Sequence, residues 1–349
     1  MRRDAPVLRF SDPQIEMAHG AGGKATRRLV EELFLPLLLD SAGVAPEPLG
    51  DAAAIDVDGA RLAVTTDSFV VTPLRFPGGS IGELAVNGTV NDLAVSGATP
   101  VALVASFVLE AGLPAEVLEA EVRAMDRAAR AAGVRIVGGD TKVVEHGKTD
   151  RMYVTTTGLG RLLPGLELGA RCVRPGDRVL VSGPIGDHGI TILLARGELE
   201  LESDLRSDTR SVLSLVEAVA AAAGPGLHWM RDPTRGGVAT ALNELALDSS
   251  LGAQLAEEKL PVRDEVRGAC ELLGLDPLHI ANEGQFLAVV APDRAEQALA
   301  ALLQTPGGAH AALIGEVRRE PAAAVLVSTR YGGTRIVDML VGDPLPRIC

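Results

Sequence analysis

Val134-Arg135-Ile136-Val137-Gly138-Gly139-Asp140-Thr141-Lys142 is the stretch on which the reading of the fold turns. Its first four residues are mostly β-branched and predict a strand over 134–137. Two glycines follow, where a backbone without Cβ can approach a ligand. Asp140 can hold a metal, Thr141 can donate its hydroxyl, and Lys142 can meet a phosphate as a point charge. A tight turn with a solvated lysine is the plain alternative; the order strand, Gly-Gly, Asp-Thr-Lys favours a ligand loop. Upstream, Thr99 to Leu109 predicts a strand and Pro114 to Ala132 a helix with proline at its start. Downstream, Met152 to Leu159 predicts another strand. Strands and helices alternate through this half, with acidic residues at strand ends, which indicates an α/β fold.

The residues before this stretch add candidates. Ser80 to Gly97 has helical spacing but carries Asn87, Asn91 and Asp92. Asn and Asp are poor interior helix residues, so several in one helix mark a site more than a solvated face. His19-Gly20-Ala21-Gly22-Gly23-Lys24 is a glycine-rich loop able to wrap phosphate, without the spacing of a Walker A loop. After it a helix is predicted from Thr26 to Leu35, ended or kinked at Pro36. Asp51 follows Gly50, and Asp67 closes the apolar run Arg61 to Thr66.

The second half opens after a Gly- and Pro-containing link over 161–176, so residues 1–160 and 177–328 are expected as two domains. Asp177 to Val181 predicts a strand, followed by a glycine-rich turn containing His188, read as a loop or capping residue. Met230-Arg231-Asp232-Pro233-Thr234-Arg235-Gly236-Gly237 immediately precedes an apolar helix. Free amides at such an N-terminus favour an anion. Asn282-Glu283-Gly284-Gln285 enters the strand Phe286 to Val290. Closing strands are expected at His310 to Val317 and Ala323 to Val327. Residues 329–349 then form a tail, about 65 Å long if extended. It ends Asp343-Pro344-Leu345-Pro346-Arg347-Ile348-Cys349. Its prolines exclude regular helix, so it reads as a movable arm with a thiol at the tip.

Composition narrows the classes. The 349 residues suit two domains, and aromatics are only 3%. The net charge of -13 argues against nucleic acid or an anionic membrane as the main partner, but not against nucleotide with magnesium. No apolar run approaches the ~18 residues of a membrane span. The start carries no signal-peptide pattern. Cys172, Cys270 and Cys349 form no CxxC pair and are odd in number, which fits a reducing cytoplasm.

Together, Asn91-Asp92-Leu93-Ala94, Gly139-Asp140-Thr141-Lys142, Arg231 to Gly237 and Asn282-Glu283-Gly284 resemble the ATP-dependent superfamily of aminoimidazole ribonucleotide synthetase and selenophosphate synthetase. The terminal Pro346-Arg347-Ile348-Cys349 narrows the resemblance to the HypE family of hydrogenase-maturation carbamoyl dehydratases, along nearly the whole chain. The resemblance implies a two-domain PurM-like fold whose N-terminal domains pair in a homodimer, with ATP and Mg²⁺ near the clefts. It implies that a HypF-like carbamoyltransferase loads Cys349. The carbamoyl group is then dehydrated to a thiocyanate with ATP, and the cyano group passes to iron on a HypC–HypD complex. By the same resemblance Asp51, Asp67, Asp92, Asp140 and Asp232 are the pool of Mg²⁺ ligands. Gly22, Gly23, Lys24, Asp67, Asn91, Gly139, Thr141, Lys142, Thr234 and Arg235 would bind ATP. Cys349, Glu283 and Lys142 would be catalytic, with Glu283 as base. One departure is visible: Asn87 stands where many relatives are expected to carry cysteine, leaving Cys349 as the thiol in a sensible place. A selenophosphate synthetase would need a reactive Cys near the first glycine loop, and residues 11–24 contain none. A non-catalytic ATP-binding scaffold would keep partner binding without Cys349.

Overall fold

The computed structural model describes residues 9–38, 50–197, 203–342, 345 and 347–349. The amino-terminal residues 1–4 and Asp343, Pro344 and Pro346 of the tail, used in the sequence reading, lie outside these.

The first half is built on a five-stranded sheet. In chain order its elements are α1 (Lys24–Leu29), a π turn (Val30–Phe34), α2 (Leu35–Leu38), β1 (Ala53–Val57), β2 (Ala60–Phe69), β3 (Arg75–Phe76), β4 (Gly79–Ser80), α3 (Ile81–Val95), β5 (Ala98–Glu110), α4 (Ala115–Ala131), β6 (Arg135–Val144) and β7 (Met152–Leu162). The sheet order is β1-β2-β7-β5-β6, with β5 and β6 parallel and the other neighbours antiparallel. The second half contributes β8 (Arg178–Val181), α5 (Asp187–Ala195), α6 (Leu213–Ala223), β9 (Leu227–Arg231), α7 (Gly237–Ser249), β10 (Gly252–Ala256), α8 (Asp264–Leu273), β11 (Leu287–Val290), α9 (Ala295–Gln304), β12 (Ala312–Arg318), β13 (Val325–Ser328) and β14 (Thr334–Val337). Its seven strands are ordered β14-β13-β10-β12-β8-β11-β9. One of its faces packs against α7 and the other against α6 and α9.

Three local expectations are corrected. Pro36 does not end its helix; it lies inside α2. Proline removes the N–H that the carbonyl four residues back would accept and crowds that carbonyl. The chain answers by widening into the π turn, where the Leu35 N–H donates to Val30, five residues back. The strand expected over 134–137 runs on to Val144, so Gly139 to Lys142 is ladder rather than loop. Gly139 is needed because a Cβ there would lie 1.8 Å from the Ala105 carbonyl oxygen of β5. The tail is not free from residue 329. β14 pairs with β13, Asn243 Nδ2 donates to the Val337 carbonyl (2.9 Å), and the Lys24 N–H donates to Leu340 (3.0 Å).

Helix α3 decides how the halves meet. Every residue from Leu84 to Val95 is buried, so it has no solvent face on which Asn87, Asn91 and Asp92 could sit. Its Leu84, Ala85, Val86 and Val90 join the first apolar core, while Ala94 and Val95 join the core of the second half. Leu84 and the three valines each contribute roughly 1.5–3 kcal/mol by leaving water, and the alanines less. Two of the polar side chains, Asn91 and Asp92, stay buried because they meet polar groups from other elements, as described next.

Candidate active site

Four aspartates converge from separate elements. Asp51 precedes β1, Asp67 lies on β2, Asp92 on α3, and Asp232 follows β9. Carboxylate oxygens of Asp51, Asp92 and Asp232 all lie within 4.8 Å of one another. Burial raises Asp92 well above the usual carboxylate range, and Asp67, Asp232 and Asp51 add repulsion. Burial raises Asp232 likewise, with Asp51 and Asp67 adding to it. Burial pushes Asp51 up to about 6 against the pull of Arg231. Arg231 is the structural cation of the group, bonded to Asp51 (2.7 Å) and Glu244 (2.9 Å). Thr65 Oγ1 donates to Asp92 (2.8 Å). Buried carboxylates this close repel unless protonated or bridged by a cation. Hard oxygen donors with too little positive charge nearby fit a magnesium ion.

Glu283 borders this group. It is 3% exposed and its Oε1 has no hydrogen-bond partner. Burial raises it well above its usual range, Asp232, Asp208 and Asp67 add to this, and Arg235 opposes it. An orphaned buried carboxyl oxygen is what a group awaiting a proton or a ligand looks like. Arg235 also reaches the glycine-rich loop, donating to the Gly20 carbonyl (3.2 Å). Gly22, at φ +77°, passes so close that a Cβ would meet Arg235 Cβ at 2.8 Å. Gly22, Gly23, Thr234 and Arg235 are therefore gathered at the start of α7, beside the acids. Gly236 occupies the cap of that helix, with no side-chain bond.

Other expected residues stand elsewhere. Lys24 pairs with Asp338 (2.5 Å). The side-chain amide of Asn91 is used within the chain: Nδ2 donates to the carbonyls of Arg210 (3.0 Å) and Glu283 (3.2 Å), and Oδ1 accepts from the Val212 N–H (2.8 Å). Asp140 is exposed on β6 and paired with Lys142 (2.8 Å), outside the buried acid group, with Gly139 and Thr141 on the same edge strand. Lys142 holds the Asp140 carboxyl below its usual range.

Sequence reasoning missed Asp208. Its carboxylate accepts the N–H groups of Glu283 (3.1 Å) and Gly284 (3.2 Å), fixing the turn that carries Glu283. Burial pushes it up to about 6, partly offset by those N–H groups. Nothing local marks it, because its partners lie some 75 residues away.

Residues 49–162 match the N-terminal domain of the AIR synthase related proteins, and residues 174–328 match their C-terminal domain. A protein of Rhodobacter capsulatus named carbamoyl dehydratase HypE is 52% identical over 342 residues, covering 98% of this chain and 100% of that one. The chain belongs to the HypE family. Two solved HypE structures superpose on it: one in complex with ATP (TM-score 0.80, 45% identity, 96% of this chain and 100% of that one) and one from a HypE–HypF complex (TM-score 0.82, 44% identity, 89% and 99%). The two-domain α/β architecture is therefore the HypE fold.

In this HypE-family chain the terminal arm lies against the body. Leu345 and Ile348 are buried in the first core, and Cys349 packs half-buried against it. The Val70 N–H donates to a main-chain oxygen of Cys349 (3.1 Å) and the Thr72 N–H to the Arg347 carbonyl (3.4 Å). The buried side chain of His188 meets the Ile348 carbonyl.

Proposed function

We propose that this chain uses ATP to dehydrate a carbamoyl group carried on its own Cys349, giving a thiocyanate whose cyano group serves as a ligand for the iron of a [NiFe] hydrogenase. The observation that carries this reading is a buried acid group beside Glu283, whose Oε1 has no partner, in a chain that ends in a thiol folded onto the same body.

An amide oxygen leaves poorly. Its attack on the γ-phosphoryl group of ATP makes it part of a phosphate, which leaves well. The carbamoyl nitrogen must then lose its remaining protons as phosphate departs and the C≡N bond forms. Glu283 Oε1, which has no hydrogen-bond partner, is the candidate to take a proton, and burial raises its affinity for one. Asp51, Asp92 and Asp232, with Asp67 beside them, would hold Mg²⁺, which supplies charge neutralisation at the phosphates. Gly22, Gly23, Thr234 and Arg235 would line the phosphates. Burial around Glu283 keeps water from the activated group.

Asp140, Thr141 and Lys142 are assigned to the site of a second copy. On the first sheet Val101, Val104 and Val137 are at least 40% exposed, an apolar surface suited to a homodimer. Such pairing would present β6 to the neighbouring nucleotide. The domains are proposed as residues 1–160 and 177–328 with a link over 161–176. Of the tail 329–349, the part from residue 341 follows the Lys24–Leu340 hydrogen bond. At ~3.3 Å per residue it reaches about 30 Å. A HypF-like enzyme is the proposed carbamoyl donor and a HypC–HypD complex the acceptor, in the cytoplasm; among the described residues no helix is long and apolar enough to cross a membrane.

The test is intact mass after incubation with the carbamoyltransferase, carbamoyl phosphate and Mg-ATP. Wild type should gain CN in place of H, and Cys349→Ala should gain nothing. A carbamoyl adduct that persists with ATP would leave a carrier without dehydratase activity.

A further inference from the structure

We propose that His188 is the positioning residue that seats the C-terminal arm and thereby places Cys349. The proposal rests on Cys349 being the carrier, but the seat itself is a property of the fold.

His188 is the second residue of α5, fully buried, with its ring edge-on to Phe76 of β3 at 5.6 Å. Its side chain makes no capping bond to α5. Nδ1 lies 2.8 Å from Ser207 Oγ and Nε2 lies 2.6 Å from the Ile348 carbonyl oxygen. The partners assign the tautomer. A carbonyl only accepts, so Nε2 carries the proton; Nδ1 then accepts, and the Ser207 hydroxyl donates to it. Ser207 Oγ in turn accepts the Thr209 N–H (3.1 Å). Burial holds the imidazole down to about 4, so the neutral ring is the working form.

The last main-chain oxygens described each accept a hydrogen bond: Arg347 from Thr72 N–H and Arg196, Ile348 from His188, and Cys349 from Val70 N–H. The His188 contact differs from the others in depth. Its donor is fully buried, and when the arm leaves, Nε2–H loses its acceptor inside apolar surroundings. Gly189, next in sequence, completes the seat: a Cβ there would lie 3.4 Å from Leu345 Cδ1 and 2.6 Å from Ile280 Cγ2. The same short segment connects the seat to the candidate base, because Ser207 holds His188 while its neighbour Asp208 holds the Glu283 turn.

Two substitutions separate the ring nitrogens. His188→Gln places an amide donor near Nε2, and His188→Asn places one near Nδ1. The assay is alkylation of Cys349 followed by intact mass, in a Cys172→Ser background. The remaining thiol, Cys270, is buried and pushed up to about 12, so it reacts slowly. His188→Asn should label about tenfold faster than the parent, the scale of one lost buried hydrogen bond. His188→Gln should label near the parent rate. Single-turnover conversion of the carbamoyl to the cyano adduct should fall with Asn and recover with Gln. Labelling of the Asn variant at the parent rate overturns the proposal. So does equal acceleration in both variants with equal loss of thermal stability, which would make His188 ordinary core packing. If neither variant folds, the Nε2–H proton of the parent chain should be protected in NMR spectra and lose protection when the chain is cut after residue 346. Protection that persists without the arm also overturns it. Absence of any adduct on the parent chain would instead sink the dehydratase reading, with the labelling result unaffected.

Discussion

Replacing Asp92 by Asn should stabilise the protein in the absence of metal while abolishing its response to magnesium. Carboxylate oxygens of Asp51, Asp92 and Asp232 lie within 4.8 Å of one another, so each ionised pair repels by about 3.5 kcal/mol at an effective dielectric of ~20. Proton uptake softens this, since burial and these neighbours already raise Asp92 and Asp232 well above their usual range. About 1–3 kcal/mol should therefore remain to be relieved. The introduced amide keeps an oxygen to accept the Thr65 hydroxyl, now 2.8 Å from Asp92, so that hydroxyl keeps its acceptor. At roughly 0.7 kcal/mol per degree for a chain of this size, the apo melting temperature should rise by about 1–4 °C. Wild type should gain about 2.7 kcal/mol at a Mg²⁺ concentration a hundredfold above its dissociation constant. It should also release protons on binding, because a bound carboxylate must be ionised. The Asp92→Asn variant should lose most of both effects. Scanning calorimetry with and without Mg²⁺, and titration calorimetry in two buffers of different ionisation enthalpy, read these quantities. A variant less stable than wild type without metal, or one that Mg²⁺ stabilises equally, would refute the cation-site reasoning.

Three further outcomes are expected. Glu283→Gln should slow formation of the cyano adduct by about 10²- to 10⁴-fold while nucleotide binding persists; adduct formation at the wild-type rate would remove Glu283 as base. His188 binds a proton at about 4 when folded against 6.5 when unfolded, so the unfolded chain takes up a proton first as pH falls. Stability should then drop by about 3 kcal/mol between pH 6.5 and 4, and denaturant titrations of His188→Gln should lack that part of the slope. Gly139→Ala would place a methyl 1.8 Å from the Ala105 carbonyl oxygen and should cost about 1–3 kcal/mol by chemical denaturation; an unchanged midpoint would show that β5 and β6 have room to part.

Much of this molecule is legible from local chemistry. Alternating strand and helix signals predict an α/β fold because side-chain periodicity reports which faces must be buried. Asp92 stands out as a poor interior helix residue, and the run Arg231 to Gly237 as a dense polar entry to a helix; both reach the acid group. Glycines 22 and 139 announce close backbone approach, and both make one. The sequence cannot say what they approach. Gly139 meets a neighbouring strand rather than a ligand, because β-pairing depends on which distant segment becomes the neighbour. Asn91 reads as a ligand group, yet its amide ties α3 to carbonyls of residues 210 and 283, contacts that exist only once the halves pack. His188 and Ile348 are 160 residues apart, so no local spacing could reveal their hydrogen bond. Residue types and their periodicity determined the kind of fold and the chemistry available to it. Chain topology, which sets the partners of each buried polar atom, decided where that chemistry is assembled and where the terminal thiol is held.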